Sequence, residues 1–151
     1  MKKAIFLCYL LTVTCYLSSQ TAAELDTLLQ TETVSIATAA RFVLGAVDLL
    51  PANLTSTAAE TAAYQIALEK GWTTKNATDT ATLQDTAFLV MNTFDLKGGI
   101  MYTLFRNPRY AYREMVYRRI IQGRAYSSMT VSGQRLLHII GRTLNEVMSN
   151  E

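Results

Sequence analysis

The sequence predicts an all-α fold, a compact bundle of about five to six helices behind an amino-terminal export segment. Apolar residues recur at intervals of three and four over several stretches. Those stretches are bracketed by hydroxyl, Asn and Pro residues before and by Gly after, the punctuation of helix starts and stops. No stretch shows the strict alternation of a half-buried strand. At 151 residues the chain allows one domain of ordinary core size, and a composition that is 50% apolar argues against general disorder.

Taken in order, Val34, Ala37, Ala40, Phe42, Val43, Ala46, Val47 and Leu50 predict a helix from Val34 to Leu50, stopped by Pro51. Thr57-Ala58-Ala59-Glu60 has the form of a capping box. It opens a helix to Lys70 with Ala59, Ala63, Ile66 and Ala67 inward, closed by Gly71. Thr73 to Thr82 is polar and turn-rich, a loop. A helix begins at Thr82 or Gln84, carries Ala87, Phe88, Val90, Met91 and Phe94, and ends by Gly98-Gly99. A short helix, Ile100 to Phe105, leads into Asn107-Pro108. There Asn107 caps and Pro108 suits the first turn of a helix expected to exit at Gly123. Its apolar face is Ala111, Tyr112, Met115, Val116, Ile120 and Ile121. Ser132 caps a last helix holding Leu136, Leu137, Ile139, Ile140, Leu144 and Val147.

The amino terminus has the layout of a bacterial secretory signal: Met1-Lys2-Lys3, the apolar run Ala4 to Val13, then small and polar residues. Cleavage is expected after Ala23, giving a signal over 1–23 and one helical domain over 24–151. The apolar run is too short to span a bilayer and no later run reaches about 18 residues, so no transmembrane span is expected in the mature chain. Both cysteines, Cys8 and Cys15, fall in this segment, which leaves the mature chain without a disulfide or a cysteine-ligated metal. Leu11-Thr12-Val13-Thr14-Cys15 resembles the relaxed lipobox of spirochaete lipoproteins and makes Cys15 a candidate for lipidation.

Charge divides the chain. Between Glu24 and Leu96 nine acids face three bases; between Lys97 and Arg142 nine bases, eight of them Arg, face Glu114 alone. Arginine grips planar anions in a fork and stacks on aromatic rings. The candidate binding residues are therefore Arg106, Arg109, Arg113, Arg118 and Arg119, with Tyr110 and Tyr117 as anchors. The anionic partner is expected to be a cell-wall polymer, lipid headgroups or an acidic protein. Self-association, acidic half to basic half, is a further expectation. Export argues against nucleic acid.

No catalytic constellation, metal set or cofactor motif is evident. His138 is the single histidine, and nothing in the spacing places it beside Ser128 or Ser132 and an acid. Carboxylate pairs such as Asp79 with Asp85, or Glu60 with Glu69, are the alternative: a small cell-wall-acting hydrolase. Asn53-Leu54-Thr55 and Asn76-Ala77-Thr78 match the glycosylation pattern, which a bacterial-type signal makes coincidental. Trp72 reads as a packing plug behind its glycine turn.

Two stretches echo one another. Ala63 to Trp72, a polar loop and Thr82-Leu83-Gln84-Asp85 give helix, glycine, loop, helix. Ala111 through Gly123, Arg124 to Thr130 and Ser132 onward repeat that order. These units resemble S-layer homology modules, in which a second helix opens on a Thr-Arg-Ala-Glu-like motif. The resemblance covers about 90 residues and implies the helical scaffold. Leu83 stands where those modules carry the arginine that binds pyruvylated cell-wall polymer. Val131-Ser132-Gly133-Gln134 departs further from the motif, with Arg135 following.

Overall fold

The computed structural model describes residues 22–51 and 54–149. The expected signal core, Cys8, Cys15 and Asn53 lie outside the described residues. Seven helices occur among them: α1 (22–30), α2 (Ile36–Gly45), α3 (Ser56–Glu69), α4 (Leu83–Thr93), α5 (Ile100–Leu104), α6 (Pro108–Tyr117) and α7 (Gly133–Ser149). The all-α class holds, and no strand forms among the described residues.

Both repeated units are present, as α3–loop–α4 and α6–loop–α7, and α1–α2 supplies a third. Each unit's second helix is preceded by the same three-residue pattern: Thr33-Val34-Ser35, Thr80-Ala81-Thr82 and Thr130-Val131-Ser132. The hydroxyl residues cap. Ser35 accepts from the Thr38 N–H at 3.2 Å, and Ser132 from the Arg135 N–H at 3.3 Å. Thr82 forms a capping box with Asp85, to which it donates its own N–H and hydroxyl, and Lys75 holds the same carboxylate at 2.6 Å.

The middle residues of the three patterns meet at the centre. The Val34 N–H donates to the Val131 carbonyl at 2.9 Å, Val131 to Ala81 at 3.1 Å, and Ala81 to Val34 at 2.8 Å. This closed ring of three backbone bonds satisfies extended segments too short to form a sheet. All three residues are fully buried. Around the ring, α2 packs on α3, α4 on α6, and α7 begins against the end of α1, where the Gly133 N–H donates to the Thr31 carbonyl at 2.9 Å. Each unit's second helix thus leans on another unit's first.

Several boundaries differ from the sequence reading, for local reasons. The first predicted helix is shorter at both ends. Val34 is drawn into the ring, and the chain turns after Gly45 with Asp48 left-handed at φ 54°. Thr57-Ala58-Ala59-Glu60 does not act as a capping box: Thr55 is the N-cap and Glu60 accepts the Thr38 hydroxyl of α2 at 2.9 Å. Gly71 does close α3 as expected, at φ 69°, with the Trp72 N–H returning to the Ala67 carbonyl at 2.8 Å. α6 ends at Tyr117, not Gly123. Arg119 takes the left-handed position that glycine usually fills, and the Ile120 N–H returns to Met115 at 3.0 Å. That reversal buries Ile120 and Ile121 beneath the turn and leaves Val116 exposed. Trp72 is half-buried against the core, with the Lys70 ammonium 5.2 Å from its ring centroid.

One buried group is unsatisfied in a testable way. The Thr86 hydroxyl, on α4 in the core, has no hydrogen-bond partner. Thr86→Val removes that group at nearly constant shape. The variant should be more stable by about 1 kcal/mol, read as a higher denaturant midpoint.

Candidate functional site

The basic flank is built by α5, α6 and the turn that follows. Asn107 caps α6 by accepting the Tyr110 N–H at 3.1 Å, and Pro108 occupies the first turn. Arg109 and Arg113, four apart, lie exposed with Tyr117 a further turn along, while Ala111 and Met115 are fully buried behind them. Arg106 does not continue this stripe in helical register. It lies in the extended link between α5 and α6, because Asn107 has left the helical region at φ −142°. Arg106 is exposed there, close enough to Tyr102 to act on its phenol electrostatically. Arg119 is exposed on its left-handed turn.

Arg118 departs from the expected role. Its Nε donates to Glu114 at 2.9 Å, its Nη1 to Glu146 at 2.7 Å, and its Nη2 to the Lys97 carbonyl. Burial alone would lower its pKa. Hydrogen bonds and charge from both glutamates outweigh that and raise it above the usual arginine value. Arg118 is thus an internal tie joining α6, α7 and the segment before α5. In consequence Glu114 and Glu146 serve the protein's own guanidinium. No ion pair joins Arg106, Arg109, Arg113, Arg119 or Arg124 to a carboxylate among the described residues.

Tyr110 is half-buried, its ring 6.0 Å from that of Phe105, and Tyr117 is exposed. Tyr110 and Tyr117, with Arg113, Glu114, Ile100, Met101 and Tyr102, line an open groove of about 490 Å³ between α5 and α6. Tyr102 is buried, which raises its pKa despite the opposing charge of Arg106 and a hydrogen bond with Asn92. The sequence reading treated Ile100 to Phe105 only as a short connecting helix. Its five-residue length gives too little periodicity to tell which side faces the protein.

Two other hollows test the catalytic readings. Ser132 and His138 border a hollow of about 270 Å³ with Gln122, Gln134, Arg135 and Arg142, and no acid among the described residues lines it. Arg135 and Arg142 act there as clasps, donating to the carbonyls of Gln122, Arg124 and Ile120. The named carboxylate pairs are not brought together as acid and base. Asp79 accepts the Asn76 N–H, Asp85 is held by Lys75 and Thr82, and Glu69 is exposed at the end of α3. A different pair, Glu24 and Glu60, shares a groove of about 480 Å³ with Arg41, Thr38 and Ser56. Glu24 is in an ion pair with Arg41, which also donates to the Ser56 hydroxyl at 2.7 Å.

Among the described residues no cluster of three His, Cys, Asp or Glu side chains could hold a metal ion, and no helix is long and apolar enough to cross a membrane. No protein family, curated protein or solved structure matches the chain.

Proposed function

We propose that this is an exported, non-enzymatic protein of a bacterial envelope that holds an anionic partner on the flank formed by Arg106, Arg109, Arg113 and Arg119, with Tyr110 and Tyr117 as aromatic anchors. The observation that carries the reading is the allocation of charge. Both described acids of the carboxyl-terminal half are engaged by Arg118, while its exposed arginines find no carboxylate among the described residues. Exposed guanidinium groups one turn apart on α6, those of Arg109 and Arg113, raise the local concentration of anions and grip them in pairs of hydrogen bonds. The leader-like sequence of residues 1–23 supports export and a periplasmic or envelope location.

The likeness to S-layer homology modules belongs to the same reading and is supported by three helix–loop–helix units with hydroxyl residues before each second helix. The residues following those hydroxyls are Ile36, Leu83 and Gly133, all buried. None offers the polymer-binding arginine of such modules. The grip on an anion is therefore assigned to the α5–α6 flank.

Arg109→Glu combined with Arg113→Glu should weaken retention on the anionic envelope fraction by about a hundredfold or more, with unchanged far-ultraviolet circular dichroism. Unchanged retention by a folded double variant would remove the role given to this flank. The Glu24–Glu60 groove is the one feature favouring a carboxylate hydrolase. Against it, Glu24 is already engaged in an ion pair with Arg41, and Glu60 accepts the Thr38 hydroxyl. Clearing of peptidoglycan suspensions that is lost in Glu60→Gln would reverse that judgement.

A further inference from the structure

α5 buries only Tyr102. Ile100 is 78% exposed, Met101 57%, Leu104 68% and the following Phe105 55%. An isolated helix of five residues has no stability of its own, so its position must be imposed by tertiary contacts. Here it is imposed at several points. The Tyr102 ring lies where any side chain at Gly98 would be, 2.3 Å from the site of a Cβ. The Gly99 N–H donates to Glu114 at 3.0 Å, and the Lys97 carbonyl accepts from Arg118. The fold thus fixes a short helix whose large apolar side chains point away from the core.

Four adjacent exposed apolar residues form a patch of the kind that marks an interaction surface. Its border is mainly basic: Arg106 and Arg109 follow in the chain, and Arg113 lines the groove that Ile100 and Met101 share, while Glu114 in the same groove is tied to Arg118 and the Gly99 N–H. Two occupants fit that chemistry poorly. A second copy docked by a two-fold axis would set this basic border against itself. A water-soluble polyanion would satisfy the arginines and leave the apolar residues wet. An anionic lipid bilayer satisfies both, taking apolar side chains into the headgroup–acyl boundary while phosphates meet the guanidinium groups.

We infer that α5 is a membrane-docking tip: Ile100, Met101, Leu104 and Phe105 enter the interface of an anionic phospholipid bilayer, and Arg106, Arg109 and Arg113 bind its headgroup phosphates. This rests on the basic-flank reading above and names its partner. The Tyr110 and Tyr117 rings, lining the same groove, sit where aromatic side chains favour the membrane boundary.

The test uses the full chain with Trp72→Phe and Leu104→Trp, so that one indole reports on the tip alone. The leader-like segment is present in every variant, so burial of position 104 that depends on the leader alone would persist when the tip is changed. With vesicles of phosphatidylcholine and phosphatidylglycerol, the emission should shift to the blue and be quenched by brominated acyl chains. With phosphatidylcholine alone it should not. Replacing Ile100, Met101 and Phe105 by Ser in that reporter chain should lower the partition of the tip by about a hundredfold. Absence of a shift on anionic vesicles overturns the inference, as does an equal shift on neutral ones or a shift produced by self-association without lipid. If the tip stays in water while the chain still binds immobilised polyglutamate through Arg109 and Arg113, the lipid assignment fails and the anion-holding function stands. If both bindings are absent, both fail.

Discussion

Gly133→Ala is expected to cost about 3 kcal/mol or more and to lower the melting temperature by roughly 10 °C or leave the chain unfolded. A Cβ at this position would lie 1.7 Å from the Leu28 carbonyl oxygen and 2.6 Å from its carbon. Those are backbone atoms of α1, not the far end of a flexible side chain, so relief requires α7 and α1 to separate. The same approach lets the Gly133 N–H reach the Thr31 carbonyl, so separation also breaks a buried hydrogen bond. Gly141 in the same helix is the control, with no atom within 4 Å of a built Cβ. Gly141→Ala should be neutral or stabilising by up to about 1 kcal/mol, because it removes the entropy cost of glycine inside a helix. Thermal melts of the two variants therefore move in opposite directions, or one stays still while the other collapses. Equal melting temperatures would mean that α7 does not start against α1.

Arg118→Met should cost about 2–4 kcal/mol, the second large effect. The side chain is mostly buried and serves two carboxylates and one carbonyl on three separate segments. Removing it strips two partly buried carboxylates, Glu114 and Glu146, of the guanidinium they share, which costs more than the pairs themselves contribute. Arg118→Lys should recover only part of the loss, since one ammonium cannot reproduce a fork aimed at both acids. Adding Glu114→Gln and Glu146→Gln to Arg118→Met should recover part of the loss; a triple variant no more stable than Arg118→Met would show that packing of the arginine stem, not its charge, is what matters. Because the tie also holds the Lys97 carbonyl in front of α5, Arg118→Met should loosen the tip before the rest unfolds. Hydrogen exchange over residues 98–105 reads this directly.

The helical class was legible in the sequence because it depends on local spacing and on caps that act within one turn. Asn107-Pro108, Ser132 and Gly71 each did what their chemistry specifies. The charge division could also be counted from the sequence alone. Arg109 and Arg113 remain together because they sit one turn apart on a helix that the sequence marks at its start. The Thr57–Glu60 pattern was misleading, since α3 already begins at Ser56 and a hydroxyl on α2 claimed Glu60.

Other features were settled only when the segments met. The ring of Val34, Ala81 and Val131 joins residues 47, 50 and 97 apart, and hydrogen bonds at those separations leave no local trace. Arg118 looked like its neighbours until Glu146 arrived from α7. Gly133 looked like a departure from a motif until Leu28 was placed beside it. Composition and spacing thus determined which residues form helices and where positive charge accumulates, because both are properties of neighbours along the chain. Tertiary structure decided which arginines meet an internal carboxylate and which apolar residues remain outside the core, because pairing and burial depend on what the rest of the chain brings alongside.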